Sequence, residues 1–180
     1  LSLASHARLM ASYNQWMNER LYAAAATLPD AVLAADRKAF FGSILGTFKH
    51  LVNGDIIWLK RFATHPAGFA GLEPVVALPQ PTDLFKPVAS SLADLAPLRR
   101  SLDGMIVGLA GQLDDAHFDA ALTWTNSRGE TWTRKFGGLL DHFFNHQTHH
   151  RGQVTTLLSQ EGVDFGDTDL LLLVPAEEAA

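Results

Sequence analysis

Apolar positions recur at three- and four-residue steps through four long stretches of the chain, which predicts four amphipathic helices. The first runs from about Ser5 to Leu28 on Leu9, Tyr13, Trp16, Met17, Leu21, Ala24 and Leu28, and Pro29-Asp30 stops it. The second spans about Ala39 to Ala63, with a stripe of Phe41, Ile44, Leu45, Phe48, Val52, Ile56, Leu59 and Phe62. The third follows an N-cap at Ser90 or Ser91 and carries Leu92, Leu95, Leu98, Leu102, Ile106 and Leu109. The fourth covers about Thr133 to Gln160, with Phe136, Leu139, Leu140, Phe143, Val154, Leu157 and Leu158 on its apolar face. Between the third and fourth, Ala121–Thr125 and Thr131–Thr133 flank Asn126-Ser-Arg-Gly129 and read as two short strands around a turn. The fold class predicted is all-α, an up-and-down four-helix bundle with a short β-hairpin-like connection before the last long helix. Residues 1–180 are expected to form one domain.

One segment resists this reading. From His65 to Pro87 the chain is rich in Pro and Gly and lacks periodicity, so 65–89 is expected to be a functional loop or a cover.

Composition narrows the chemistry. With 47% apolar and 18% charged residues the chain is globular. It has no cysteine, which excludes disulfides, thiolate metal sites and a cysteine nucleophile. A net charge of −5 with no basic block argues against nucleic acid as a partner. The pairs Lys60-Arg61 and Arg99-Arg100 read as solvated helix faces. No apolar run is long enough to span a membrane, and the start shows no signal-peptide pattern, so the default expectation is a cytoplasmic protein.

Four of the eight histidines, His142, His146, His149 and His150, fall within nine residues of the last helix. Residues four apart on a helix lie about 40° apart around the axis, so His146 and His150 can aim at one point from the core-facing seam. Two imidazoles hold a transition metal weakly, and a third ligand from another helix is required. The candidates are His50, Asp55 and the flanking histidines. His50 lies opposite the apolar stripe of the second helix, either on the surface or in a cleft left by its small neighbours Gly46, Thr47 and Gly54. The pentad His146–His150 approaches H-E-x-x-H, but Gln147 stands where that motif has its general base, which disfavours peptidase chemistry. A metal acting on a bound water or thiol is the remaining reading. The alternative is a module in which a closed metal site only ties helices together.

Several short motifs, taken together, resemble those of the DinB-like superfamily of metal-binding four-helix bundles. They are Tyr13-Asn-Gln-Trp16 with Asn18, Thr47-Phe-Lys-His50 through Trp58-Leu59, Trp124 to Gly129, Asn145-His146, and His149-His-Arg-Gly-Gln153. Gly162 and then Thr168-Asp-Leu170 extend the likeness over almost the whole chain. The resemblance implies a divalent metal on His50, His146 and His150, and zinc and nickel both suit imidazole nitrogen. It leaves His142, His149, Asn145 and Gln153 as neighbours that orient the ligands or line a pocket with Trp58 or Trp124. Relatives include metal-dependent hydrolases and thiol-dependent transferases, and many are homodimers. The expectation is therefore a small electrophilic substrate, attacked by water or by a low-molecular-weight thiol. Because ligating imidazoles must be neutral, metal should be lost below about pH 6.

Overall fold

The computed structural model describes residues 2–81, 89–126 and 128–176. Four long helices form the bundle: α1 (Leu3–Ala25), α3 (Ile44–Phe62), α5 (Leu92–Gln112) and α6 (Phe136–Gln160). Two short ones, α2 (Asp30–Ala34) and α4 (Glu73–Val76), lie in the connections. Strands β1 (Ala121–Thr125) and β2 (Thr131–Lys135) pair antiparallel, with Trp124 opposite Trp132. The hairpin precedes the last long helix, as the sequence predicts.

Serine side chains start three of the long helices by accepting from orphan amides in the first turn. Ser2 caps Ser5, Ser43 caps Gly46 and Ser91 caps Asp94. The Ser43 cap corrects the expected start of the second helix from Ala39 to Ile44. Gly42, at φ 75°, turns the chain just before the cap, in a region open to glycine without strain. Phe41 therefore stands outside the helix instead of on its stripe. The short helix α2 falls in a stretch read as a polar link, and α1 ends at Ala25, three residues earlier than expected.

α1 packs against α5 and α6, and α3 packs against the same two, so α1 and α3 face each other across the core. Contacts at the ends set the directions. The Ala4 amide donates to Asp115 and Arg8 to the Leu113 carbonyl, which brings the start of α1 to the end of α5. Phe62 meets Phe136 and Phe143 while His50 meets His150, so α3 and α6 are antiparallel. Gly71, just past the end of α3, abuts Gly108 and Gln112 of α5, which makes α3 and α5 parallel. The order is up, down, down, up.

Two parallel helices need a connection that returns along the bundle, and this accounts for the long Pro/Gly-rich segment. Its described part buries Phe69, Leu72 and Val75 beyond the C-terminal end of α3, whereas His50 lies in the second turn of that helix. Residues 82–88 of the expected cover lie outside the described residues. The core is built around Phe48, Phe62, Phe136 and Phe143. Among the described residues no helix is long and apolar enough to cross a membrane.

Candidate metal centre

His50 on α3 meets His146 and His150 on α6. The Nε2 of His50 lies 3.0 Å from that of His146 and 3.2 Å from that of His150. One nitrogen from each ring falls within 4.8 Å of the others, and among the described residues no carboxylate or fourth histidine joins the group. Two nitrogens each about 2.0–2.1 Å from a tetrahedral zinc would stand roughly 3.3 Å apart, so this spacing is that of ligands sharing one ion. The donor set fits a divalent metal of the kind imidazole prefers.

Three local features position the rings. His50 is only 4% exposed, which rules out the surface alternative. Phe41 stacks on it at 3.7 Å between centroids and 15° between planes. The role of Phe41 could not be read from periodicity, because the turn at Gly42 creates it. Gly54, one turn along α3 from His50, faces His146; a Cβ there would lie 3.3 Å from the His146 ring. Gly54 thus does open a cleft beside His50 that the ring of His146 fills, whereas Gly46 lies against the Phe41 backbone. Finally, the Gln153 Oε1 lies 2.7 Å from His150 Nδ1. A carbonyl oxygen can only accept, so that nitrogen carries the hydrogen and Nε2 keeps its lone pair for the shared point.

The other expected neighbours divide. His149 is exposed; its ring lies edge-on 4.8 Å from that of His150, and its Nε2 is 3.4 Å from the Gln153 amide. The His142 ring lies 6.0 Å from that of His146 and 5.0 Å from that of Trp58. Asn145 is exposed, and its side chain makes no hydrogen bond among the described residues.

Gln147 is not at the centre at all. One residue beyond His146 the helix has turned about 100°, and Gln147 is fully buried with its amide donating to Asp55. Asp55, the other candidate ligand, is committed to the same network. Arg99 Nη1 donates to it at 2.5 Å, and the Arg99 Nε donates to Asp103 at 3.1 Å. Asn14 and Asn18 of α1 both donate to Asp103, and Arg151 of α6 donates to Asn14. Burial pushes the Asp55 carboxyl up to about 6 despite the adjacent guanidinium, so it is a carboxylate at neutral pH. The network joins all four long helices and balances Asp55 and Asp103 against Arg99 and Arg151. Arg99 is thus a buried ion-pair residue, contrary to the solvated face expected for it.

Burial, reinforced by the neighbouring imidazoles, pushes His50 down to about 4 and His146 to about 3; burial lowers His150 as well. His50 and His146 therefore keep free lone pairs well below pH 6, and the expected loss of metal shifts to lower pH. In metal-free protein the unfolded chain takes up these protons near 6.5, before the folded chain does. Stability from these groups is complete above about 6.5 and drains away as pH falls toward 4. The melting temperature of the metal-free protein should be level above pH 7 and decline through that window. A His50→Gln, His146→Gln double variant should decline less steeply in the same scan.

A four-helix bundle with a three-histidine centre between two antiparallel helices is the class that fold and site define. The profile of the DinB family matches residues 4–179, and the chain belongs to that family. It is 24% identical over 157 residues to "Protein DinB" of Bacillus subtilis (strain 168), covering 87% of each chain. No solved structure matches it significantly.

Proposed function

We propose that the three histidines hold a divalent metal, zinc or nickel, in a centre that turns a thiol or a water against a small electrophilic substrate. The observation that carries this reading is the donor count. Three imidazole nitrogens converge, two from buried rings and one from the half-buried His146, and no described side chain completes a fourth position, which is the arrangement of reactive rather than structural sites. His146 is the partly exposed ligand, so the open side lies at its ring, next to His142.

A divalent ion in that position lowers the pKa of the thiol or water that reaches it. The chain supplies the rest. Gln153 fixes the His150 tautomer, and Phe41 shields His50 from solvent on the face it stacks against. Burial and the nearby Arg61 charge keep His142 neutral at pH 7, free to accept the proton that the nucleophile gives up. The sulfur or oxygen lone pair then forms the new bond to the electrophilic carbon, and the leaving group departs with the old bonding pair. Because the chain has no cysteine, any thiol comes from a small molecule.

The test is conjugation of low-molecular-weight thiols to halide, epoxide and activated-ester electrophiles, with hydrolysis of the same esters followed in parallel. Zinc- and nickel-loaded protein should exceed the metal-free protein in rate, and His142→Gln should reduce the excess by about 10²–10⁴-fold. Equal rates with and without metal would remove the reading. A cobalt-loaded sample whose spectrum ignores added thiol would favour a closed site that only fastens α3 to α6. The homodimer implied by the family resemblance is checked on the same samples by sedimentation velocity.

A further inference from the structure

A pocket opens beside the centre, between the C-terminal half of α3, the start of α6 and the hairpin. Its volume is about 620 Å³, which suits a small organic molecule. Its walls are three of the chain's four tryptophans, Trp58, Trp124 and Trp132. The Trp58 and Trp124 rings meet edge-on at 5.8 Å, and Trp124 and Trp132 lie 6.5 Å apart as cross-strand partners. Pairing across the hairpin therefore holds one wall and α3 the other. His142 closes the end nearest His146.

The charge in this pocket has one sign. Arg61 lies over the faces of both Trp58 and Trp124, at 4.5 and 5.2 Å, and Arg134 lies over Trp132 at 4.8 Å. Neither guanidinium has a carboxylate partner among the described residues, and no carboxylate lines the cavity. Lys135 at its rim differs, being paired with Asp119 at 2.6 Å. Arg61 was expected on a solvated face; instead it is half-buried, and burial without a counter-ion lowers its pKa. Arg61, stacked on indole faces, keeps its N–H edge free to match a carboxylate or sulfonate in bidentate fashion, while Arg134 donates Nη1 to the Thr133 carbonyl at 2.8 Å and offers its remaining N–H groups.

From this arrangement we infer that the tryptophan pocket binds an organic anion with a flat aromatic body. The anionic group sits on the Arg61 and Arg134 edges and the ring lies among the indoles. A bound anion reaches His142 and so stands next to the metal centre. The site is built from its own residues and holds even if the metal reading falls.

The probe pair is 2-naphthoate and its neutral isostere 2-naphthamide, titrated into metal-free full-length protein while the indole N–H signals are followed by NMR. Naphthoate should shift the signals of Trp58, Trp124 and Trp132 and leave that of Trp16 in place. Naphthamide should need at least about tenfold higher concentration, since a hydrogen bond to a charged group contributes roughly that factor or more. Arg61→Gln should weaken naphthoate by about tenfold or more without changing naphthamide. The same shifts should persist in His150→Ala, which separates this site from the metal. Equal titration by acid and amide overturns the inference, as does a response that spares the three indoles or includes Trp16. The wild-type comparison decides the matter even if the Arg61 variant folds poorly.

Discussion

Arg99→Met is expected to lower the stability of the protein by about 3–5 kcal/mol, because it leaves Asp55 and Asp103 as buried charges without the guanidinium that bridges them. Both carboxylates are buried, and Arg99 bridges them at 2.5 Å and about 3 Å from the middle of α5. For a chain of this length that loss corresponds to a fall in melting temperature of about 6–20 °C. Arg100 provides the internal control: it has the same chemistry one residue later but is exposed, and Arg100→Met should stay within about 0.5 kcal/mol of the parent. Combining Arg99→Met with Asp55→Asn should recover much of the loss, since the remaining buried charges, Asp103 and Arg151, then balance. Thermal unfolding by circular dichroism reads all three. If Arg99→Met and Arg100→Met melt together, the network contributes nothing net.

Zinc is expected to raise the melting temperature by about 8–16 °C when free metal reaches a thousand times its dissociation constant, which is worth about 4.1 kcal/mol. The effect follows from selective binding to the folded state, where α3 and α6 bring His50 together with His146 and His150. His50→Ala, His146→Ala and His150→Ala should each abolish the shift at that metal concentration. Gln153→Ala should weaken affinity by about 10–100-fold, because the outer hydrogen bond that fixes the His150 tautomer is lost. His149→Ala, on an exposed ring outside the group, should leave the shift intact. Competition with a chromophoric chelator gives the constants, and elemental analysis identifies the metal carried from expression. A zinc response that survives in His50→Ala would mean that the ion sits elsewhere.

The buried network left a trace in the sequence that hydrophobic periodicity passes over. Asn14 and Asn18, Arg99 and Asp103, and Gln147 and Arg151 are polar pairs four apart, each set within or beside an apolar stripe. On a helix such pairs share a face, just as His146 and His150 do. Four-residue spacing stands out for the histidines because imidazoles advertise metal chemistry. Applied to amides and charged groups, it would have moved Arg99 inward and taken Gln147 out of the H-E-x-x-H comparison. Arg61 gave no such signal: its burial depends on a tryptophan from a hairpin more than sixty residues away.

From the chain alone, local spacing determines the four helices, the hairpin before the last of them, and the aim of His146 and His150 along one seam, since each depends on residues a few positions apart. The family likeness, carried by motifs along the chain, added His50 where spacing left it undecided. The tertiary structure alone decided the rest. The up, down, down, up order, the swing of Phe41 onto His50, the claim of Asp55 and Gln147 by Arg99 and its partners, and the enclosure of Arg61 by indoles all join residues far apart in the chain. A helical repeat reports which way a side chain faces along its own axis, and it carries no information on which neighbour that face will meet.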